Sequence, residues 1–298
     1  MNIYGVIGWP VKHSLSPAMH NAAFKESGIN AEYELFPVKP EELEDFILNR
    51  KDVVGFNITV PHKIRAKEIV DNNFSGNKNA KLIEEDLYYV KLTGAINTVK
   101  RNGGSLEYRN TDAPGFLRAL REDLKFDTKN KSALLIGCGG AGRAIIAALS
   151  WKGMNLNKIY VYELNKGQVD AAKNHFLTLS EKWQDILKKK IEFISLEEIA
   201  VQIKKSQLLV NASPIGMKEG DLPVIDKKLL HKDLSVYDVV YNRETELVKD
   251  AKLLGLRCAS GLGMLLYQGA HAFEFWTEKK APIEVMRRAL KSAIEINK

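Results

Sequence analysis

Apolar residues along the chain gather in short continuous blocks separated by longer amphipathic stretches, and the pattern runs through twice. In the first half, Asn2-Ile3-Tyr4-Gly5-Val6-Ile7-Gly8 predicts a short buried strand. Ser14-Leu15-Ser16-Pro17 then opens a helix, with Ser16 as N-cap and Pro17 at the first helical position, and Gly28 stops it. Tyr33 to Val38 predicts a strand, Pro40 to Asn49 a helix, and Val53 to Val60 a strand ending at Pro61. This alternation of strand and helix predicts a mainly parallel α/β sheet. Residues 71–91 are polar and turn-rich around Asn72-Asn73-Phe74-Ser75-Gly76-Asn77, which predicts a loop or short insertion. Gly115 to Leu124 predicts a helix bridging into the second half.

The second half restarts at residue 133. Strands are predicted at 133–136, 159–162, 191–194, 208–210, 236–240 and 257–259. Helices are predicted at 143–151, along a single stretch at 167–189, and around 196–203. The tail from Gly263 to Asn297 reads as helical, interrupted by Pro282. There is no internal repeat and no low-complexity tract.

The strand Ala133-Leu134-Leu135-Ile136 runs directly into Gly137-Cys138-Gly139-Gly140-Ala141-Gly142-Arg143-Ala144. Gly137, Gly139 and Gly142 occupy the three glycine places of a dinucleotide-binding fingerprint. The first allows a tight turn, the second admits backbone close to a pyrophosphate, and the third packs helix on strand. The next strand ends at Glu163, about 20 residues past the last glycine, where such a unit places its ribose ligand. A carboxylate there accepts both ribose hydroxyls of NAD, whereas the 2′-phosphate of NADP meets like charge. NADP-binding units supply an arginine at this place; here Leu164 and Asn165 follow, and Lys166 is the nearest cation. Losing a charge-assisted hydrogen bond costs about 1.5–3 kcal/mol, so NAD is expected to be favoured by about tenfold or more, with NADP as the second choice. The bland reading of Glu163 is a solvated charge at a strand end.

Composition adds limits. The 298 residues, 45% hydrophobic and 27% charged, suit two folded domains with ample core. No apolar stretch approaches the roughly 20 residues that span a membrane, and the N-terminus has no signal-peptide pattern. Cys138 and Cys258 stand far apart without ligand-spaced neighbours, so neither a disulfide framework nor a metal site is expected, and a cytoplasmic location is. The net charge of +7 is spread over scattered lysines, and the densest run, Lys188-Lys189-Lys190, closes a helical pattern where it complements the dipole. No nucleic-acid or membrane partner is expected; the excess charge helps attract anionic ligands.

Seven further strings carry a resemblance. They are Gly8-Trp9-Pro10-Val11-Lys12-His13-Ser14-Leu15-Ser16-Pro17, Asn57-Ile58-Thr59-Val60-Pro61-His62-Lys63, Gly94-Ala95-Ile96-Asn97-Thr98 and Asn110-Thr111-Asp112-Ala113-Pro114-Gly115 in the first half. Asn211-Ala212-Ser213-Pro214-Ile215-Gly216-Met217, Asp238-Val239-Val240-Tyr241-Asn242 and Gly261-Leu262-Gly263-Met264-Leu265-Leu266-Tyr267-Gln268-Gly269 follow in the second. With the glycine fingerprint, and in this order over nearly the full length, the chain resembles the shikimate dehydrogenase family, including its quinate/shikimate branch.

The resemblance implies an α/β fold of two domains: an N-terminal substrate-binding domain at 1–113, completed by C-terminal helices at 265–298, and a Rossmann dinucleotide-binding domain at 114–264. It implies an NAD(P)-dependent oxidoreductase of aromatic amino acid biosynthesis (the chorismate pathway) that interconverts shikimate and 3-dehydroshikimate. By resemblance, Ser14 and Ser16 bind the substrate carboxylate, Thr59, Asn97, Asp112 and Gln268 hold ring hydroxyls, Tyr241 closes over the substrate, and Lys63 is catalytic, with Asp112 as its partner. Gly137, Gly139, Gly140, Ala141, Gly142, Glu163, Ser213, Val239 and Gly261 contact the cofactor.

Some of these residues also have local readings. Ser16 is satisfied as a helix N-cap, Asp112 as the cap of helix 115–124, and Gln268, four residues from Met264, as one face of a helix packed in the core. A lysine ammonium is a ready proton donor at neutral pH, suited to a carbonyl undergoing reduction. In oxidation the amine must be neutral to accept the hydroxyl proton, so shikimate oxidation is expected to accelerate as pH rises.

The chain also departs from the family. Shikimate-specific members carry an Asn-Arg-Thr run where Glu163-Leu164-Asn165 stand, which moves this chain toward the NAD-using quinate/shikimate branch. Arg243 replaces the proline that usually follows Tyr-Asn, and the stretch between Lys63 and Gly94 is longer than usual. Quinate as main substrate, a non-catalytic shikimate- or quinate-sensing homologue, and both monomer and homodimer stay open.

Overall fold

The computed structural model describes residues 1–74 and 83–296. Two units partition the chain, Met1–Gly115 with Leu265–Lys298 and Phe116–Met264.

The first unit is built on a five-stranded sheet. Its strands are β1 (Asn2–Gly8), β2 (Ala31–Pro37), β3 (Val53–Ile58), β4 (Thr98–Asn102) and β5 (Ser105–Arg109), in the order β2-β1-β3-β4-β5. β1 runs parallel to both β2 and β3, whereas β4 and β5 form an antiparallel hairpin along the far edge. Helices α1 (Ser16–Glu26), α2 (Leu43–Asn49), α3 (Lys63–Asn73) and α4 (Glu84–Thr93) connect the strands. On one face, Phe46 and Ile47 of α2, Ala66, Ile69 and Val70 of α3 and Val90 of α4 close over Ile7, Phe36, Phe56 and Val99. Each such large apolar side chain contributes about 1.5–3 kcal/mol by leaving water. On the other face, α1 and the C-terminal helix α11 (Leu262–Thr277) bring aromatics together, and α12 (Ile283–Ile296) packs on α1. Tyr4 lies 5.1 Å from Trp276 and Phe24 lies 5.7 Å from Phe273, centroid to centroid. The Trp276 indole N–H donates to the Val99 carbonyl at 2.9 Å, tying α11 to β4.

The second unit holds a six-stranded, wholly parallel sheet: β6 (Ser132–Ile136), β7 (Lys158–Tyr162), β8 (Ile191–Phe193), β9 (Leu208–Asn211), β10 (Ser235–Asp238) and β11 (Arg257–Ser260). Their order, β11-β10-β9-β6-β7-β8, is the doubly wound arrangement in which the first strand lies beside the fourth. The strand order reverses between β6 and β9, the place where doubly wound sheets hold their ligands. Helices α6 (Gly140–Ser150), α7 (Lys166–Leu177), α8 (Glu181–Lys190), α9 (Ile199–Gln202) and α10 (Glu246–Leu253) complete the winding.

Five expectations change. The sheet of the first unit is mixed, because the hairpin β4–β5, turning at Gly103-Gly104, adds two antiparallel strands to the three parallel ones. The helix predicted with Ser16 as N-cap has Ser16 as its first residue, and Ser14 Oγ instead accepts from the Ser16 amide at 3.3 Å. Helix α5 (Asp112–Glu122) starts at Asp112 rather than at Gly115, with the Asp112 amide donating to Asn110 Oδ1 at 3.2 Å. The stretch 167–189 is two helices, α7 and α8: Leu179 turns inward between them, and the Gln184 amide caps the carbonyls of Leu177 and Leu179 at 3.0 and 2.8 Å. Within 71–91, α3 continues to Asn73 and α4 begins at Glu84, while 75–82 lie outside the described residues. α4 has an acidic first turn, Lys91 near its end and Gly94 at φ 64° as its stop, signals that the neighbouring asparagines masked. Among the described residues no helix is long and apolar enough to cross a membrane.

Candidate active site

Lys63 is the first residue of α3, and Asp112 the first of α5. Their side chains meet: Lys63 Nζ donates to Asp112 Oδ2 at 2.5 Å. The side chains are 21% and 10% exposed, so the pair is sheltered but reachable from solvent. The other carboxylate oxygen, Oδ1, accepts from Asn97 Nδ2 at 2.9 Å. Each carboxylate oxygen of Asp112 is thus held by its own donor.

Asn97 is 2% exposed. Its backbone is gripped from both sides, the amide donating to the Arg109 carbonyl at 3.0 Å and the carbonyl accepting from Ile58 at 2.8 Å. Its Oδ1 accepts from the Thr111 amide at 2.7 Å, which settles the orientation of the carboxamide. A carboxamide carries two N–H donors, so Asn97 has one left for a ligand hydroxyl after serving Asp112.

Ser14 and Ser16 sit together at the start of α1, and the Ser16 side chain neighbours the hydroxyl of Tyr33. Burial pushes the Tyr33 phenol well above its ordinary range, with Ser16 opposing that shift. Gln268 lies on α11, where Nε2 donates to the Leu265 carbonyl at 3.0 Å. α5 passes so close at Gly115 that a Cβ would stand 2.6 Å from the Gln268 amide nitrogen, which brings Gln268 to the helix that carries Asp112. Thr59 follows β3, its amide donating to the Ile7 carbonyl at 2.9 Å. Hydrogen bonds thus join Lys63, Asp112 and Asn97, whereas Ser14, Ser16, Thr59 and Gln268 line the same unit without a bond to that pair among the described residues.

The sequence reading assigned no role to Asn57, Tyr33, Thr98 or Thr111. Asn57 Nδ2 donates to Thr98 Oγ1 at 3.0 Å and Tyr33 Oη donates to Asn57 Oδ1 at 2.7 Å, all buried. A lone amide within the apolar strand Val53–Ile58 was the available signal, since buried polar groups are there to be bonded.

In the second unit, Gly137 follows β6 at φ +98°, and its amide donates to the Tyr162 carbonyl at 2.8 Å. A Cβ on Gly142 would fall 2.2 Å from the Gly137 carbonyl oxygen, so the turn closes only without side chains. Gly139 precedes the first turn of α6, which opens with Gly140 and Ala141. This is a backbone cradle at a helix N-terminus placed at the sheet's switch point, which suits a pyrophosphate. Glu163, just past β7, accepts from the Cys138 amide through Oε2 at 2.7 Å and from the Asn165 amide through Oε1 at 2.9 Å. Burial pushes the Cys138 thiol up to about 11, which leaves it an inert packing group.

Ser213 and Val239 belong to loops tied to one buried carboxylate. Asp238 accepts from Asn211 Nδ2 at 3.0 Å, the Val240 amide at 3.0 Å and the Thr245 hydroxyl at 2.6 Å. Asn211 Oδ1 in turn receives the Ser213 hydroxyl at 2.7 Å, and the Asn211 carbonyl receives the Val239 amide at 2.8 Å. Gly261 crosses against Val239 so tightly that a Cβ would overlap its carbonyl. Tyr241 follows β10, half-buried, its phenol pushed up by desolvation. Among the described residues no group of acidic, histidine or cysteine side chains is arranged to hold a metal.

A doubly wound sheet with a glycine cradle at its switch point, joined in one chain to an α/β unit bearing a lysine–carboxylate pair, defines an NAD(P)-dependent oxidoreductase acting on a CH–OH group. Family models for the shikimate dehydrogenase substrate binding domain and the shikimate 5'-dehydrogenase C-terminal domain match residues 6–99 and 261–291. The shikimate dehydrogenase (NADP(+)) of Methanopyrus kandleri is 42% identical over 296 residues, covering 97% of this chain and 94% of that one. The Listeria monocytogenes shikimate 5-dehydrogenase, solved with shikimate and NAD, superposes with a TM-score of 0.83 at 31% identity, covering 97% and 96% of the two chains. A Corynebacterium glutamicum quinate dehydrogenase in complex with NAD gives 0.81 at 27% identity, covering 98% and 99%. The chain belongs to the shikimate dehydrogenase family.

Proposed function

We propose that the chain catalyses the reversible oxidation of shikimate to 3-dehydroshikimate with NAD as the preferred acceptor. The observation that carries this reading is the Lys63–Asp112 pair at 2.5 Å, with Asn97 on the second carboxylate oxygen. Lys63 takes the proton of the reacting hydroxyl in oxidation and returns it to the carbonyl oxygen in reduction. Asp112 aims the amine and compensates its charge. Ser14 and Ser16 donate hydroxyls to the substrate carboxylate, Thr59, Asn97 and Gln268 hold ring hydroxyls, and Tyr241 covers the substrate.

The nicotinamide cofactor supplies hydride acceptance and donation. Gly137, Gly139, Gly140, Ala141 and Gly142 would hold its pyrophosphate; Ser213, Val239 and Gly261 would line the remainder. For the adenosine ribose the chain offers Glu163, whose oxygens each keep a lone pair after bonding backbone amides, and Asn165. The Gln168 carboxamide oxygen lies within 3.3 Å of a Cβ position on Gly139, while Lys166, past Leu164 and Asn165, and Arg143, on the first turn of α6, are the cations of this neighbourhood. The Glu163 carboxylate supports NAD, in contrast to the NADP(+) in the name of the Methanopyrus relative.

Likeness to an NAD-bound quinate dehydrogenase supports a second reading, in which quinate, with its extra C1 hydroxyl on a saturated ring, is also a substrate. The test crosses shikimate and quinate with NAD and NADP and follows formation of the reduced cofactor. The highest kcat/KM is expected for shikimate with NAD. No reduction with any pair would leave a ligand-sensing homologue, a role for which retention of both Lys63 and Asp112 has no reason.

A further inference from the structure

Asn57 is a buried carboxamide in β3, and every hydrogen-bonding group it owns is engaged. Oδ1 accepts from the Tyr33 hydroxyl at 2.7 Å, and Nδ2 donates to the Asn97 carbonyl at 3.2 Å and to Thr98 Oγ1 at 3.0 Å. Tyr33 is itself held. Its amide donates to Asn21 Oδ1 at 2.8 Å, its carbonyl accepts from Asn21 Nδ2 at 3.0 Å, and its ring stacks on His20 at 4.4 Å between centroids, 7° from parallel.

Hydrogen polarity then propagates in one direction. Thr98 Oγ1 accepts from Asn57, so its single proton goes to Asn97 Oδ1 or to Thr111 Oγ1, each at 3.1 Å. Thr111 Oγ1 in turn lies 3.2 Å from Asn97 Oδ1. In either case the Asn97 oxygen collects donors, and its amide nitrogen is left facing Asp112. The sequence Tyr33, Asn57, Thr98, Asn97, Asp112, Lys63 is thus a continuous chain of hydrogen bonds, buried as far as Asp112 and ending at the amine, assembled from β2, β3, β4 with Asn97 just before it, α5 and α3.

We propose that Asn57, aimed by Tyr33, is a positioning residue for the Lys63–Asp112 pair: by directing the Thr98 hydroxyl it adds a donor to the Asn97 oxygen that the Thr111 amide already holds, and so helps keep the Asn97 amide turned toward Asp112 and the carboxylate pointed at the amine. The proposal rests on the reading of Lys63 as the proton-transfer group. Asn57 is 5% exposed and acts through Asn97 and Thr98, so its loss alters proton transfer more than substrate binding.

The test uses the full chain with three variants. Tyr33→Phe keeps the ring stacked on His20 and removes the hydroxyl that aims Asn57, which also neighbours Ser16, so kcat and the pH profile rather than KM are its readouts. Asn57→Asp keeps the shape and replaces the Nδ2 donor by an acceptor, which draws the Thr98 proton away from Asn97. Lys63→Ala reports on the underlying reading. Shikimate oxidation is followed from neutral to alkaline pH, with rates referred to folded protein measured by thermal unfolding. Tyr33→Phe and Asn57→Asp are expected to lower kcat by about tenfold, with KM held within about twofold in Asn57→Asp, and to displace the alkaline limb of the pH–rate profile. Should Asn57→Asp not fold, Tyr33→Phe decides alone. Unchanged kcat and pH profile, or a risen KM at unchanged kcat, overturns the positioning role while Lys63→Ala remains inactive. Retained turnover in Lys63→Ala overturns the reading beneath it instead.

Discussion

Glu163 reaches back from the end of β7 to the glycine loop, where its Oε2 accepts the Cys138 amide at 2.7 Å. The carboxylate is thereby fixed beside the cradle before any ligand arrives, and a 2′-phosphate entering its reach meets a negative charge already in place.

A cofactor preference is expected from that charge. The native chain is expected to use NAD over NADP by about tenfold or more in kcat/KM, since a lost charge-assisted bond costs about 1.5–3 kcal/mol. Glu163→Asn combined with Leu164→Arg, the latter position 79% exposed, is expected to reverse the ratio. Steady-state kinetics with both cofactors at equal low concentration decides; equal rates in the native chain contradict the role of Glu163.

Lys63→Ala and Asp112→Asn are each expected to reduce turnover by roughly 10²-fold or more, with little change in circular dichroism. Asp112→Asn leaves an amide that can still meet Asn97 or Lys63 but no longer compensates the ammonium. Near-native turnover in both variants would remove the pair from the chemistry.

Oxidation releases one proton per hydride transferred, so the equilibrium toward 3-dehydroshikimate is expected to shift by about tenfold per pH unit. The oxidation rate is expected to rise with pH as well, because Lys63 accepts the hydroxyl proton only as a free amine. Initial rates in both directions over a pH series check this; an oxidation rate that falls as pH rises would count against Lys63.

Acid stability is set in part by His20, which is fully buried against Phe24, Tyr33 and Trp276. Neither ring nitrogen has a hydrogen-bond partner among the described residues, and desolvation lowers its pKa to about 3 from 6.5. As pH falls below about 6.5 the unfolded chain binds a proton that the folded chain refuses until about 3. Stability therefore falls with decreasing pH across this window, by up to about 1.4 kcal/mol per pH unit. His20→Phe is expected to flatten that slope in urea unfolding measured at neutral and mildly acidic pH. Equal slopes in the two proteins would show that the native imidazole is protonated more easily than its surroundings imply.

The glycine loop could be read because its geometry depends on residues adjacent in the chain: a positive φ at Gly137 and a close approach at Gly142 are local demands that few sequences meet. The alternation of apolar blocks and amphipathic stretches likewise exposed most strands and helices. The break at Leu179 was hidden, since a residue turned inward between two helices keeps the helical spacing on either side. So was the β4–β5 hairpin, whose pairing lies along a sheet edge with half-buried residues and a weak apolar signal.

What the amino-acid sequence determined on its own was the placement of a dinucleotide cradle, the two α/β halves and the family strings that contain Lys63 and Asp112. Only the tertiary structure decided that these two side chains, 49 residues apart, form one ion pair, and that Tyr33, Asn57 and Thr98 stand behind it. The reason is physical: turns and periodicities are written in neighbouring residues. Satisfying a buried amide or carboxylate instead requires partners from separate strands and helices, and these meet only when the core closes around them.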